Sequence, residues 1–205
     1  MIKIFFRLLL LLIFILLWVY IYTNRGIFSL TYWPTSHNNI LYNLPDDQSL
    51  RQSKNDCSVY SINAVSNILL WTWINISWDW NKLHHFSFGV FPFQLESLIK
   101  TNWLKYNILS YDNDLNALRW GLKNWPIILL VYHKSYQHYF TIIGVDDDKR
   151  YIYDSLQDRL DDKFTIDSNW FAPWNLTLTT YELKEKRSQW WKYWFYKYYW
   201  IAVYK

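Results

Sequence analysis

The hydrophobic period of this chain changes once, and that change constrains the fold more than any other feature. Between Cys57 and about Trp73 the apolar residues Val59, Ile62, Val65, Ile68 and Leu69 recur at helical spacing, with small Ser58, Ser61 and Ala64 between them. This is the pattern of a helix buried on at least one face. The stretches "FPFQLESLIKTNW" and "DLNALRWGLKNW" read as two further helices, the last entered through the cap signals of "YDND". From Pro126 the period shortens. "PIILLVYH", "HYFTIIGVD" and "RYIYDSL" are β-rich runs parted by "KSYQ" and "DDDK", which predicts an antiparallel meander of three strands. Helices first and strands after give an α+β domain rather than an alternating parallel sheet.

A chain of 205 residues holds one compact domain plus an appendage and is thin for two full domains. The appendage is residues 1–26, "MIKIFFRLLLLLIFILLWVYIYTNRG". No charge interrupts it from Leu8 to Tyr22, Ile4 to Phe6 extend it across Arg7, and it shows no polar face. That is close to the roughly 20 residues needed to cross a bilayer as a helix. Lys3, Arg7 and the amino terminus precede the run while Arg25 alone follows it. The asymmetry predicts a single-pass cell-membrane protein with its N-terminus inside and its domain outside the cytoplasm. "VYIYTNRG" is too bulky for a signal-peptidase site, so an uncleaved anchor is expected. Residues 27–49, with Pro34, Pro45 and clustered Asn, Ser and Asp, read as a linker to a domain spanning 50–205. Two readings of the tail 166–205 stay open. "WWKYWFYKYYWIAVYK" fits either a last strand at 199–204 or an aromatic, lysine-dotted segment at the bilayer surface.

The net charge of +4, from 21 basic and 17 acidic residues without a long basic block, speaks against nucleic acid as a partner. Metal and cofactor are not expected. His84 and His85 in "HHF" lack a helical i, i+4 partner, His133 stands apart, and Asp146–Asp148 lack the glycine and glutamate of a calcium loop. A solvated hairpin turn accounts for "DDD" better.

Glycine and tryptophan usage is inverted. The chain has 4 glycines and 15 tryptophans, where average usage of about 7% would give roughly 14 glycines. Trp103 after a helix, Trp125 before a strand and Trp174 in "APWNL" sit where backbone chemistry asks for glycine. Two origins account for this: UGA codons that the source reads as glycine, or an aromatic protein from an A/T-rich genome. UGG codons at 103 and 125 would exclude the first.

Cys57 is the only cysteine, so neither a disulfide nor a zinc cluster staples the fold, and its importance rests on reactivity. With Asp56 or Asn55 as N-cap, its thiol lies in the first turn of a helix, where free N–H groups and the positive end of the dipole favour thiolate. Such a nucleophile needs a base, an orienting group and oxyanion donors. His138 opens the strand "HYFTIIGVD" and can serve as base. Asp154, in the next strand, can orient it, with Asp146 as rival. Gln52, five residues before the cysteine, can join the Cys57 N–H in an oxyanion hole, with Gln48 as rival. Taken singly, each has a plainer reading: Cys57 as a small buried hydrophobe, His138 at a wet strand edge, Asp154 as a turn acceptor and Gln52 on the surface.

Together, "RQSKNDCSVYSINAV" and "LKNWPIILLVYHKSYQHYFTIIGVDDDKRYIYDSL" resemble the C39-type and C39-like cysteine peptidases of the papain superfamily over about residues 50–156. That pattern has a Gln before "DCG" at a helix start, a "GxP" strand, a His-aromatic strand running into Gly-x-Asp, and a strand ending in Asp. The resemblance implies a papain-like fold, with the catalytic helix packed on an antiparallel sheet. It equates Cys57 with the nucleophile, His138 with the base, Asp154 with its orienter and Gln52 with the oxyanion donor. Ser58 replaces the glycine after the cysteine, and Trp125 the glycine before Pro126. "DCS" also resembles the start of the NlpC/P60 cell-wall endopeptidases, without their following glycine. The expected activity is peptide-bond hydrolysis on a peptide or protein substrate, with an inactive peptide-binding relative as the other class. Related processing peptidases are often fused to exporters. These 205 residues contain none, so an exporter partner would be separate.

Overall fold

The chain is described by a computed structural model over residues 2–29, 40–42, 57–70, 90–111, 115–133, 136–147, 149–155, 176–188, 196 and 198–205. Its apolar N-terminal run forms one helix, α1 (Ile2–Thr23), with Leu, Ile and Phe exposed on every side. At about 1.5 Å per residue its length matches a hydrocarbon core of about 30 Å. A 3₁₀ turn (Arg25–Ser29) follows, then β1 (Ile40–Leu41).

The domain's helices are α2 (Cys57–Leu70), α3 (Pro92–Thr101), α4 (Leu115–Asn124) and α5 (Thr180–Ser188). Its longer strands are β2 (Lys105–Leu109), β3 (Ile127–His133), β4 (Tyr136–Val145), β5 (Lys149–Tyr153), β6 (Leu176–Thr179) and β7 (Trp200–Tyr204). They form one antiparallel sheet in the order β2-β7-β3-β4-β5-β6, with β1 added to β4. The meander expected from 126–156 is β3-β4-β5. Of the two readings of the tail, the strand is observed at 200–204 as β7, in the interior of the sheet.

Strict alternation explains why both faces are covered. Ile127, Leu129 and Val131 of β3, with Trp200 and Ala202 of β7, meet Leu118 and Leu122 of α4 and Leu183 of α5. Ile128 and Leu130, with Ile201 and Val203, meet Ile62 and Val65 of α2 and Leu95, Leu98 and Ile99 of α3. A continuous apolar run such as "PIILLV" is what a strand buried on both faces requires. Helix α3 starts at Pro92, whose missing N–H costs nothing at that position, and the Gln94 side chain accepts the N–H of Phe91 at 2.8 Å. It ends at Asn102, and the next residue, Trp103, has φ 62°, the left-handed conformation in which glycine usually terminates a helix.

The end of α1 is built into this domain. Thr23 and Asn24 are buried, and Asn24 Oδ1 accepts the N–H of Tyr198 at 3.4 Å. A side chain on Gly26 would run into the carbonyls of Tyr198 and Leu109. Arg25 pairs with the buried Glu96 of α3 at 2.7 Å. The same carboxylate accepts hydrogen bonds from Tyr106 (2.6 Å), Tyr22 (3.5 Å) and Tyr199.

Candidate active site

Cys57 is the first residue of α2, so its thiol lies at the positive end of the helix dipole. It is 6% exposed and packs in the cluster formed by Leu130, Tyr139 and Tyr199. The helix is fixed against the sheet through Thr141 of β4, whose hydroxyl donates to the Ser61 carbonyl at 3.3 Å.

His138 lies in β4 opposite Val131 of β3. On the other side, Tyr153 pairs with Thr141, and this register brings the next residue, Asp154, within reach of the imidazole. His138 Nε2 and Asp154 Oδ1 are 2.7 Å apart, with both side chains 2% exposed. The second ring nitrogen, Nδ1, is buried and has no conventional hydrogen-bond partner among the described residues. Burial favours the neutral ring, but the Asp154 carboxylate and Cys57 act on it more strongly and raise the His138 pKa from 6.5 to about 10. The ring is therefore an imidazolium at neutral pH, tied to a carboxylate and coupled to the thiol.

Asp146, the other acidic candidate, lies in the hairpin beyond β4. It accepts from Tyr151 at 2.9 Å and from the N–H of Asp147, and these hydrogen bonds, the backbone one foremost, lower its pKa. Asp154, not Asp146, is the carboxylate bonded to His138. Gln52 and its rival Gln48 lie outside the described residues, as do Asn55, Asp56, His84 and His85. Among the described residues no three His, Cys, Asp or Glu side chains gather to hold a metal. Ser58, where the peptidase pattern has glycine, is fully buried, and its hydroxyl finds no partner among the described residues.

Sequence reasoning missed the clamp on the His138 strand. Gln137 Nε2 and the Tyr139 hydroxyl both donate to the carbonyl of Val90, at 2.8 and 3.1 Å. The residues on either side of His138 thus fix β4 to the segment entering α3. The signal is two long polar-tipped side chains flanking a histidine in an otherwise apolar strand.

No model of a known protein family and no curated protein matches this sequence. Solved structures do. A C39-like peptidase from Bacillus anthracis superposes with a TM-score of 0.56 at 13% identity, over 82% of this chain and 98% of that one. The peptidase domain of Streptococcus ComA, a bi-functional ABC transporter involved in a quorum-sensing pathway, superposes with a TM-score of 0.50 at 12% identity, over 80% of this chain and 96% of that one. The common ground is an α+β architecture with an antiparallel sheet, and the resemblance read from the Cys57, His138 and Asp154 segments is one of fold: this chain has the fold of C39-type peptidase domains.

Proposed function

We propose that this chain is a cysteine peptidase, anchored by α1, that hydrolyses peptide bonds in a peptide or protein substrate. The observation that carries the reading is the buried Asp154–His138 pair coupled to a thiol at the start of a helix. The C39-type fold supports it.

In the proposed mechanism Cys57 and His138 rest as a thiolate–imidazolium pair, with a proton on His138 Nδ1, and the thiolate attacks the peptide carbonyl carbon. The oxyanion that forms is held by the Cys57 N–H and by Gln52, the role the sequence resemblance gives that side chain. Collapse breaks the C–N bond, and His138 returns its proton to the departing amine. A water molecule then attacks the thioester, losing a proton to His138; the C–S bond breaks, the acid product leaves and the thiolate–imidazolium pair is restored. Asp154 keeps Nε2 engaged so that Nδ1 stays turned to the sulfur.

Alkylation of Cys57 tests this without a known substrate. The expected rate with iodoacetamide stays high at pH 6, where an ordinary thiol of pKa about 8.5 is almost inert. His138→Ala restores the ordinary profile. A profile that is ordinary in both proteins overturns the peptidase reading and favours a peptide-binding relative.

Anchoring without cleavage is part of the proposal. Its support is the burial of Thr23 and Asn24 and the pairing of Arg25 with Glu96, since cleavage beyond α1 would strip a buried carboxylate of its cation. The mature chain, recovered from membranes, is expected to keep residues 1–26 in an intact-mass measurement. A product starting near Ile27 would identify a signal sequence instead.

A further inference from the structure

The foot of α1 opens onto a pocket of about 440 Å³, bounded by Arg25, Lys100, Lys105, Tyr106, Asn107 and Tyr204. It is an open cleft that lies along β2, an edge strand of the sheet. Three of its residues are cations. One of them, Arg25, is neutralised by Glu96 at 2.7 Å. The other two, Lys100 and Lys105, are exposed, so the pocket carries an excess of positive charge. The Lys100 ammonium stands over the Tyr106 ring at 5.4 Å, and the Tyr106 hydroxyl is held by Glu96 at 2.6 Å. One wall is therefore fixed to the carboxylate that also fixes the end of α1.

Position supplies the second observation. Arg25 is two residues beyond the last residue of α1, Thr23. If the apolar helix fills the hydrocarbon layer, residues just past its end lie among lipid headgroups. Because Asn24, Arg25 and Gly26 are packed into the domain, the pocket keeps that height. A cationic pocket at headgroup level, next to an apolar helix that acyl chains can pack against, has an occupant of defined chemistry.

We propose that this pocket binds the headgroup of an anionic phospholipid, with Lys100 and Lys105 on the phosphate and the hydroxyl and amide of Tyr204 and Asn107 on the polar substituent. The proposal rests on the membrane reading of α1. Bound lipid fixes the orientation of the domain on the bilayer, which a single helix alone does not.

The test uses the full chain purified in a neutral detergent, with dioctanoyl phosphatidylglycerol, dioctanoyl phosphatidylcholine and glycerol phosphate titrated against it in native mass spectrometry. Phosphatidylglycerol is expected to bind at least tenfold more tightly than either of the others. The double variant Lys100→Gln/Lys105→Gln, whose altered side chains are exposed and whose melting temperature should be unchanged, is expected to lose about twenty-five-fold, from about fivefold per basic residue at an anionic surface. Equal binding of the two lipids, or phosphatidylglycerol binding unaffected by the double variant, overturns the proposal. Glycerol phosphate binding as tightly as the lipid overturns it in favour of a soluble phosphoester. Alkaline extraction of membranes carrying the wild-type chain runs alongside: release of the chain would refute the anchor, while retention with no lipid preference would refute the pocket alone.

Discussion

At the scale of single residues, the charge on His138 depends on Asp154. The carboxylate is the foremost stabiliser of the imidazolium against the cost of burial, and the two side chains are almost wholly removed from water. Replacing Asp154 with Asn keeps the shape and removes the charge, so alkylation of Cys57 at pH 6 should slow at least tenfold while the circular dichroism spectrum stays native. This threshold lies below the roughly 10²–10⁴-fold usual for acid–base groups, because alkylation reports only the nucleophile. Trp103 makes a different prediction. It is 92% exposed and held at φ 62°, a conformation that costs a side-chain-bearing residue about 1–2 kcal/mol. Trp103→Gly should therefore raise stability by about 0.5–1 kcal/mol after the entropy cost of glycine, seen as a higher melting temperature. Trp125→Gly should do the opposite, since Trp125 packs on Trp120 and Tyr204 at 5.4 and 6.1 Å and is not among the positive-φ residues. The sequence grouped these two tryptophans with Trp174, which lies outside the described residues; backbone geometry separates the two, and among the described tryptophans the glycine-recoding idea finds backbone support at 103 only. Cys57, His138 and Asp154 were readable because each lies at or near the end of an element with a strong pattern, although β4 begins at Tyr136, two residues before the start the sequence suggested. The choice between Asp146 and Asp154 was not, because it depends on strand register, which shifts at an irregularity between Ile142 and Gly144.

At the scale of elements, legibility follows the strength of the period. β3 reads as a strand because both its faces are buried, and α2 because its apolar residues recur on a stripe. β2 escaped notice. It is a short edge strand, "KYNIL", in which only Leu109 is buried. α5 escaped for the same reason: "TYELKEKRS" carries one buried apolar side chain, Leu183, and so has no stripe to detect. β1 falls in the proline- and asparagine-bearing stretch that read as linker, and pairing with β4 supplies what propensity does not. The 3₁₀ turn after α1 was equally hidden, since its order comes from tertiary contacts. Gly26→Ala tests how firmly that turn is held. The added methyl meets backbone at Tyr198 and at Leu109 O (2.8 Å), where no side chain can swing aside. A loss of about 1–3 kcal/mol is expected in detergent denaturation of the full chain, against little change for an alanine at exposed Phe28.

At the scale of the molecule, the buried ion pair links folding to pH. The folded state raises the His138 pKa from 6.5 to about 10, so it holds the proton more tightly than the unfolded chain does. Stability from this group is complete below pH 6.5 and is lost as the pH rises through 10. The melting temperature of the full chain should fall across that interval, and the fall should shrink in His138→Gln. The course of the chain through the sheet has a separate consequence. β2 pairs only with β7 among the described strands, and Tyr199, Ile201 and Val203 complete the apolar cluster around Cys57. A ribosome delivers these residues well over a hundred positions after the thiol. Throughout elongation the cysteine is therefore present but its surroundings are unfinished, and the enzyme that we propose stays dormant towards its own emerging chain until residue 204 is free to close the sheet.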